Sequence, residues 1–196
     1  MTNGVRAQQR EQTRLTLLRE SRRLFSTLGY ASVGLSEIVR AAGVTKGALY
    51  HHFDSKAELF RAVLEQAQQE VAAYIAATAD AQEEAWDQLT FGCQAFLSAS
   101  TDPALQRIML VDGPAVLGWR EWRAMNEATS GRHLAQALTV LIHEGTIPAQ
   151  PVAPLTHLLS GAMNEAALWL AASEDSADLA VTRQALARML DALRAR

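Results

Sequence analysis

Two short helical patterns on either side of one glycine constrain the fold of this chain more than any other feature. Apolar residues recur at helical spacing over 34–42, and Gly43 then ends the first pattern. Thr45 can cap a second short helix that continues to about residue 52. Such a tight connection requires small or apolar residues where the helices meet and where the second helix faces inward. The residues that meet this requirement are Ala41, Ala42, Gly43, Val44, Leu49 and Phe53.

This pattern, over residues 34–53, predicts a helix-turn-helix. In DNA-binding proteins of this type the second helix enters the major groove, and the first helix braces it across the backbone. The same geometry also occurs in proteins that never contact DNA. The motif by itself therefore leaves both a DNA reader and a protein-interaction module open.

Helical patterns continue on both sides of the motif. A first helix is expected over 6–28, and Ser55 with Glu58 forms a capping box for a fourth helix that runs to about residue 79. Further helices are predicted at 82–100, 103–112, 119–144, 152–171 and 177–194. Breaks are predicted at Gly113, Pro114 and Gly118 and over the loop 145–151. Since 49% of the residues are apolar but only 6% are aromatic, we expect an all-α fold.

The charge is distributed unevenly along the chain. Residues 1–60 hold nine Lys or Arg and five Asp or Glu, a balance of +4, so the other 136 residues sum to −7 within the total of −3. A cationic head on an anionic body suits a phosphate-backbone partner for the head. We therefore expect a three-helix DNA-binding domain at 1–60 and a separate helical body at 61–196.

Other classes of protein are disfavoured by what the sequence lacks. Its single cysteine, Cys93, cannot form an internal disulfide, and no motif for catalysis, phosphate binding or metal ligation stands out. His51 and His52 are adjacent and would diverge by about 100° on a helix, which argues against a metal pair. No segment has the pattern of a secretory signal or the roughly 20 apolar residues of a bilayer span. We expect a cytoplasmic protein that is not an enzyme and that binds no metal, cofactor or membrane.

The motif lies within a longer run of residues in a recognisable order. This run comprises Gly29 and Tyr30, the segment 35–39 (LSEIV), the segment 42–53 (AGVTKGALYHHF) and the segment 55–59 (SKAEL). It resembles the signature of the TetR family of transcriptional regulators and covers about the first 60 residues. The family often has Thr or Ser at the opening of the second helix, where Val33 and Gly34 stand here. Ser36 is then the hydroxyl left for a phosphate contact.

The resemblance implies a set of DNA contacts on and around the third helix. Its members are Ser36, Thr45, Lys46, Gly47, Ala48, Tyr50, His51 and Lys56. Thr45 would cap the helix and offer its hydroxyl to a phosphate, and Lys46 would reach a guanine edge or a phosphate. Gly47 and Ala48 lack bulk, so the helix backbone can approach the bases. The remaining members would contact phosphates; for Tyr50 the alternative is packing against the first helix.

Family members usually pair through their last two helices, and the resemblance implies a homodimer here. The predicted helices near the C-terminus are more apolar than surface helices of a monomer need to be. Their apolar residues are Leu155, Leu158, Leu159, Ala162, Met163, Ala166, Leu168, Leu170, Leu179, Leu186, Met189, Leu190 and Leu193. Burial within one chain is the alternative explanation of this composition.

For the body, the resemblance implies a pocket for an unknown small-molecule effector. Aromatic and sulfur-containing residues occur near the predicted break, where they could surround an apolar space. The candidates are Trp86, Phe96, Met109, Trp119 and Trp122, with Asn164 and Glu165 as polar anchors. Ordinary core packing is the alternative for the apolar candidates, and a bond across the dimer for one of the two polar ones.

The function that the resemblance implies is a repressor that binds a palindromic operator in double-stranded DNA. An effector in the body would shift the fourth helix and change the spacing of the two heads, which releases the DNA. A ligand-dependent activator and an interaction module that has lost DNA binding are the alternatives.

Overall fold

Eleven α-helices account for most of the regular structure of residues 2–195, the part of the chain that this computed structural model describes. They are α1 (Thr2–Leu28), α2 (Leu35–Ala42), α3 (Lys46–Tyr50), α4 (Lys56–Asp80), α5 (Ala85–Ala99), α6 (Pro103–Gln106), α7 (Gly113–Leu117), α8 (Trp119–Asn126), α9 (Arg132–His143), α10 (Val152–Ala172) and α11 (Asp178–Asp191). Two π-helical segments, Arg107–Asp112 and Glu127–Gly131, join α6 to α7 and α8 to α9. No strand occurs in residues 2–195, and the predicted all-α fold is confirmed. None of the described helices has both the length and the apolar composition that crossing a bilayer requires.

The head is built from α1, α2, α3 and the first turns of α4. Phe25, Tyr30 and Phe60 are in mutual contact at its centre, with ring centroids 5.1 to 5.6 Å apart. Leu49 and Phe53 are buried, as the helical pattern predicts. These contacts hold the very short α3 against the longer helices that stabilise it.

The turn between α2 and α3 has the geometry that a helix-turn-helix requires. Gly43 adopts φ 67° and ψ 29°, a left-handed conformation in which a side chain would be strained. The side-chain oxygen of Thr45 accepts a hydrogen bond from the Ala48 amide at 3.1 Å, which confirms the predicted cap. Ala42 is half-buried, but Ala41 is exposed. The prediction that Ala41 lies at the helix crossing is therefore wrong, because it faces the solvent side of α2.

The helix α4 belongs to both halves of the molecule. The Ser55 side chain accepts a hydrogen bond from the Glu58 amide at 3.0 Å, which is one half of the predicted capping box. The Glu58 carboxylate accepts from the amide of Asp54, one residue before the cap, instead of from Ser55. From there the helix runs for 25 residues and buries an apolar stripe along its length. The buried apolar residues of the head and the body form one continuous cluster. The predicted boundary at 60/61 falls within this helix, which the two predicted domains share.

The middle of the body differs from the sequence-based prediction. Gly113 has φ −50° and ψ −63°, and Pro114 lies in the first turn of α7, so both residues are helical. The prediction of a break there is wrong, since proline is compatible with the first turn of a helix. The chain leaves helical geometry at Gly118, with φ 79° and ψ 154°. The predicted helix 119–144 is itself interrupted at Thr129, with φ −116° and ψ −106°.

Trp122 holds α8 against the first π-helical segment. Its indole Nε1 donates a hydrogen bond to the Met109 carbonyl at 2.6 Å. Its ring lies so close to Gly113 that a Cβ atom at that position would come within 2.8 Å of Trp122 Cδ1. A residue larger than glycine at 113 would therefore displace the indole ring.

Two hydrogen bonds connect the first π-helical segment to the head. The Asp112 carboxylate accepts from the Tyr30 amide at 2.9 Å, and the Arg107 guanidinium donates to the Thr27 carbonyl at 3.0 Å. We call these two contacts the head–body joint. The Arg107 contact also satisfies a carbonyl in the last turn of α1, which has no partner within its own helix.

The role of Trp122 can be tested by Trp122→Phe. This variant should lower the free energy of unfolding by about 1–3 kcal/mol, because the Met109 carbonyl would stay buried without its donor. Urea unfolding followed by circular dichroism, at one protein concentration, measures the change. The matched control is Trp119→Phe, since Trp119 is 59% exposed. Equal losses in the two variants would contradict the structural role of Trp122.

Candidate nucleic-acid interface and ligand cavity

The helix α3 presents a mainly polar face to solvent. Thr45, Lys46, Gly47 and His51 are exposed, and the Tyr50 side chain is 52% exposed although it lies on a helix that packs on the head core. A Cβ atom added at Gly47 would have only the Thr45 Oγ1 within 4 Å, at 3.8 Å. The backbone of α3 is therefore accessible from solvent at this position.

Thr45 has a second hydrogen-bonding capacity beyond its cap. Its Oγ1 accepts a hydrogen bond from the Ala48 amide. The hydroxyl proton can still be donated to an acceptor outside the protein. A cap that also offers a donor at a helix N-terminus suits an anionic group such as phosphate. Ser36 is exposed on α2, in the next helix of the motif.

Lys56 has a partner inside the protein. It is half-buried, and its Nζ lies 4.0 Å from the centre of the Tyr30 ring. Burial lowers the pKa of the Lys56 ammonium, an effect that the carboxylate of Asp112 opposes. The ammonium therefore has a partner at the head–body joint, and the predicted phosphate contact stays a prediction.

A cavity of about 270 Å³ lies in the body between α4, α5, α9, α10 and the second π-helical segment. Several of the lining residues have small side chains. These small residues are Ala76, Ala79, Gly92 and Ala137. The rest of the wall is mainly apolar and includes Leu89, Phe96, Leu134 and Met163.

Most of the residues predicted to line a ligand pocket lie elsewhere. Of the seven candidates, Phe96 lines this cavity, whereas Trp86, Met109, Trp119, Trp122, Asn164 and Glu165 are not among its lining residues. Trp122 and Met109 bond to each other in the core. Trp119 lies at the surface, with its ring centroid 5.0 Å from that of Trp122. Glu165 is exposed on α10. The prediction favoured large aromatic side chains, most of which pack in the core or lie at the surface away from this cavity.

The cavity has a few polar groups among its apolar walls. Asn126 is 8% exposed, and the buried Ser130 hydroxyl has no hydrogen-bond partner among the described residues. Both lie at the second π-helical segment or at its start. Burial raises the pKa of the Cys93 thiol to about 12, so this wall residue stays protonated and weakly polar near neutral pH. The arrangement suits a small apolar molecule that carries one or two hydrogen-bonding groups.

The last two helices carry apolar side chains on two faces. Leu155, Leu159, Met163, Leu186 and Leu190 are buried within the chain. The exposed apolar residues of α10 and α11 are Leu158, Leu168, Trp169, Val181 and Met189. Leu158 is 72% exposed, which is a large exposure for a leucine. Intramolecular packing thus accounts for only part of the apolar composition of these helices.

Comparison with known families covers both halves of the chain. Residues 17–63 match the family described as bacterial regulatory proteins, tetR family, and residues 86–193 match the tetracyclin repressor-like C-terminal domain. The Transposon Tn10 TetC protein of Escherichia coli is 31% identical over 147 residues, which are 74% of this chain and 74% of that protein.

Solved structures extend the likeness to the whole fold. A TetR-family transcriptional regulator from Pectobacterium atrosepticum superposes with a TM-score of 0.81 at 34% identity, over 96% of this chain and 97% of that one. RolR, solved with its ligand resorcinol, superposes with a TM-score of 0.71 at 20% identity, over 93% of this chain and 89% of that one; this second likeness concerns the fold alone. The exposed face of α3 is thus part of a helix-turn-helix head found with the same type of helical body, and the chain belongs to the TetR family of DNA-binding transcriptional regulators, which are not enzymes.

Proposed function

We propose that this protein is a dimeric repressor. Its helix α3 binds a palindromic operator, and a small apolar molecule bound in the body releases the protein from the DNA. The observation that carries the DNA-binding part is the exposed face of α3, where Thr45, Lys46 and Tyr50 surround the side-chain-free Gly47. Gly47 lets the backbone approach base edges, Lys46 reaches a guanine or a phosphate, and Thr45 and Tyr50 fix the helix on the phosphates. His51 and Ser36 complete the set.

The two lysines of the chain, Lys46 and Lys56, provide a matched test of the DNA face. Selection from a random duplex pool by the wild-type protein first identifies the operator. Lys46→Gln should weaken operator binding by about 1–3 kcal/mol if it contacts a base, and it should relax the preference at one position of each half-site. The measurement is fluorescence anisotropy at fixed salt, followed by a second selection with the variant.

Lys56→Gln is the control, because its ammonium lies over Tyr30. The Lys56 variant should select the wild-type sequence and show the wild-type dependence of affinity on salt. A reduced salt dependence in that variant would instead support a phosphate contact by Lys56. Wild-type sequence preference in Lys46→Gln would contradict the base contact that we propose.

The dimer is proposed to form through the exposed apolar faces of α10 and α11. A monomer rarely exposes several large apolar side chains on adjacent helices, and a two-fold axis through these helices would make the interface self-complementary. Two heads related by that axis require a palindromic site, with half-sites in successive turns of the major groove. The affinity of the pair for DNA then depends on the dimer, because the second head binds at high effective concentration.

Leu158→Asp tests this interface, since it places a charge on its most exposed leucine. The variant should shift the mass measured by light scattering at micromolar concentration from twice 21.3 kDa to 21.3 kDa, and operator affinity should fall with it. Val111→Asp is the control: Val111 is 51% exposed but lies in the first π-helical segment, away from α10. A Leu158→Asp protein that remains dimeric would argue for a different interface.

The proposed effector is uncharged, mainly apolar and small enough for a cavity of about 270 Å³. Asp80 is the one carboxylate among the described lining residues and is exposed at the rim, and the half-buried His133 is the one basic side chain. A buried ion would therefore have no permanently charged partner in the interior, which is unfavourable. A hydroxyl or carbonyl group on the effector would instead pair with Ser130 and Asn126.

Two structural connections link the cavity to the head. The last turns of α4 line the cavity at Ala76 and Ala79, and the same helix begins in the head. The second connection runs through α8, whose C-terminal residue Asn126 lines the cavity and whose Trp122 contacts the first π-helical segment. An effector that repositions either element changes the orientation of the head relative to its partner.

A panel of simple phenols, beginning with resorcinol, is a suitable first set of probes for the cavity. For a compound that raises the melting temperature, Ser130→Ala should weaken binding by about 0.5–1.5 kcal/mol through the lost hydrogen bond, as measured by calorimetry. Trp119→Leu and Glu165→Gln are the controls, because both residues lie outside the cavity. If the two control variants lose effector binding while Ser130→Ala keeps it, the effector binds at the residues predicted from the sequence and not in this cavity.

A further inference from the structure

The N-terminal half of α1 carries a stripe of arginines that the function proposed above does not use. Arg6, Arg10 and Arg14 are spaced by four residues, which places them on one side of the helix. Like charges at this spacing destabilise a helix slightly, so the stripe does not serve the stability of α1. Arg14 pairs with Glu11 at 3.5 Å. Arg6 and Arg10 are exposed and make no ion pair within the described residues.

The stripe is continuous with the DNA-facing side of α3. One shallow groove is lined by Arg10, Thr13, Ala48, His51 and His52, and its continuation along α1 is lined by Arg6, Ala7, Arg10, Glu11, Arg14 and His52. Ala48 and His51 belong to the proposed DNA contacts. The two grooves share Arg10 and His52, so a partner seated on α3 meets the arginines along one continuous surface.

The positive charge of this groove comes from its guanidinium groups. Burial lowers the pKa of His52, and the nearby charges of Arg10 and Arg14 lower it further. A histidine with a lowered pKa is uncharged near neutral pH, so His52 adds no charge of its own there. Arg6 and Arg10 remain charged at any physiological pH, and a guanidinium matches the geometry of a phosphate better than an ammonium does.

We propose that Arg6 and Arg10 bind the phosphate backbone of the DNA duplex that α3 reads, beyond the base pairs in contact with α3. The groove geometry and the charge complementarity favour the backbone of the same duplex over a separate acidic partner. These contacts add affinity without sequence preference, since phosphates carry no base information. The inference rests on the proposed DNA-binding function, and it extends the interface from α3 to the first turns of α1.

The test compares the double variant Arg6→Gln/Arg10→Gln with Arg19→Gln, using the duplex that the wild-type protein selects from a random pool. Arg19 also lies on α1 but is paired with Glu20 at 3.1 Å, away from the stripe. The affinity of each protein is measured by anisotropy over a series of salt concentrations. Each lost phosphate contact should reduce the slope of log affinity against log salt by about 0.9, so a dimer that loses four contacts should show a slope smaller by about 3 to 4.

Arg19→Gln should keep the wild-type slope, and the double variant should still select the wild-type sequence. A double variant with the wild-type slope would overturn the proposal. A double variant that selects a different sequence would also overturn it, because Arg6 and Arg10 of the wild-type protein would then contact bases. Unchanged melting curves by circular dichroism show that both variants are folded. Failure of the proposed DNA-binding function itself is distinguishable: the wild-type protein would then enrich no sequence, and Lys46→Gln would change nothing.

Discussion

The contact of Trp122 with Gly113 and Met109 is the constraint on which the rest of the body depends. The indole lies on a position where only a glycine fits, and its N–H satisfies the Met109 carbonyl. This contact fixes α8 against the first π-helical segment, whose last residue, Asp112, accepts the Tyr30 amide. At its other end α8 reaches Asn126 on the cavity wall. The helix α8 therefore connects the cavity wall with the first π-helical segment, which carries the head–body joint.

The energy needed to couple effector and DNA is modest on the scale of these contacts. A hundredfold release from DNA requires about 2.7 kcal/mol of coupling. A hydrogen bond to a charged group contributes about 1.5–3 kcal/mol, and the head–body joint contains two, from Arg107 and to Asp112. Under the proposed function, weakening these bonds in one of two conformations would contribute to a coupling of this size. π-Helical segments are frequent at functional sites, which agrees with their position at the cavity and at the joint.

The head could be predicted closely from the sequence, and the cavity could not. The Thr45 and Ser55 caps and the glycine turn at Gly43 are local signals, set by residues a few positions apart. A cavity depends on which helices meet, and no local pattern encodes that. The prediction selected large aromatic residues as pocket candidates. In the structure, however, Trp122 donates a hydrogen bond to the Met109 carbonyl, and Trp119 lies at the surface. Gly92 and the alanines of α4 are visible in the sequence, but the fact that they meet on one cavity wall is not.

The continuous hydrophobic cluster limits how the head can move. Leu59, Phe60 and Val63 are buried at the junction of head and body, and close-packed apolar contacts change by rearranging as a unit rather than by sliding. The head is therefore expected to rotate together with the start of α4, not to swing on a free linker. The contacts that can exchange during such a rotation are the polar ones at its edge, namely Arg107 with Thr27 and Asp112 with Tyr30. Lys56, between Tyr30 and Asp112, lies where that exchange occurs. Besides the phosphate contact predicted for it, Lys56 thus has a structural partner at the joint.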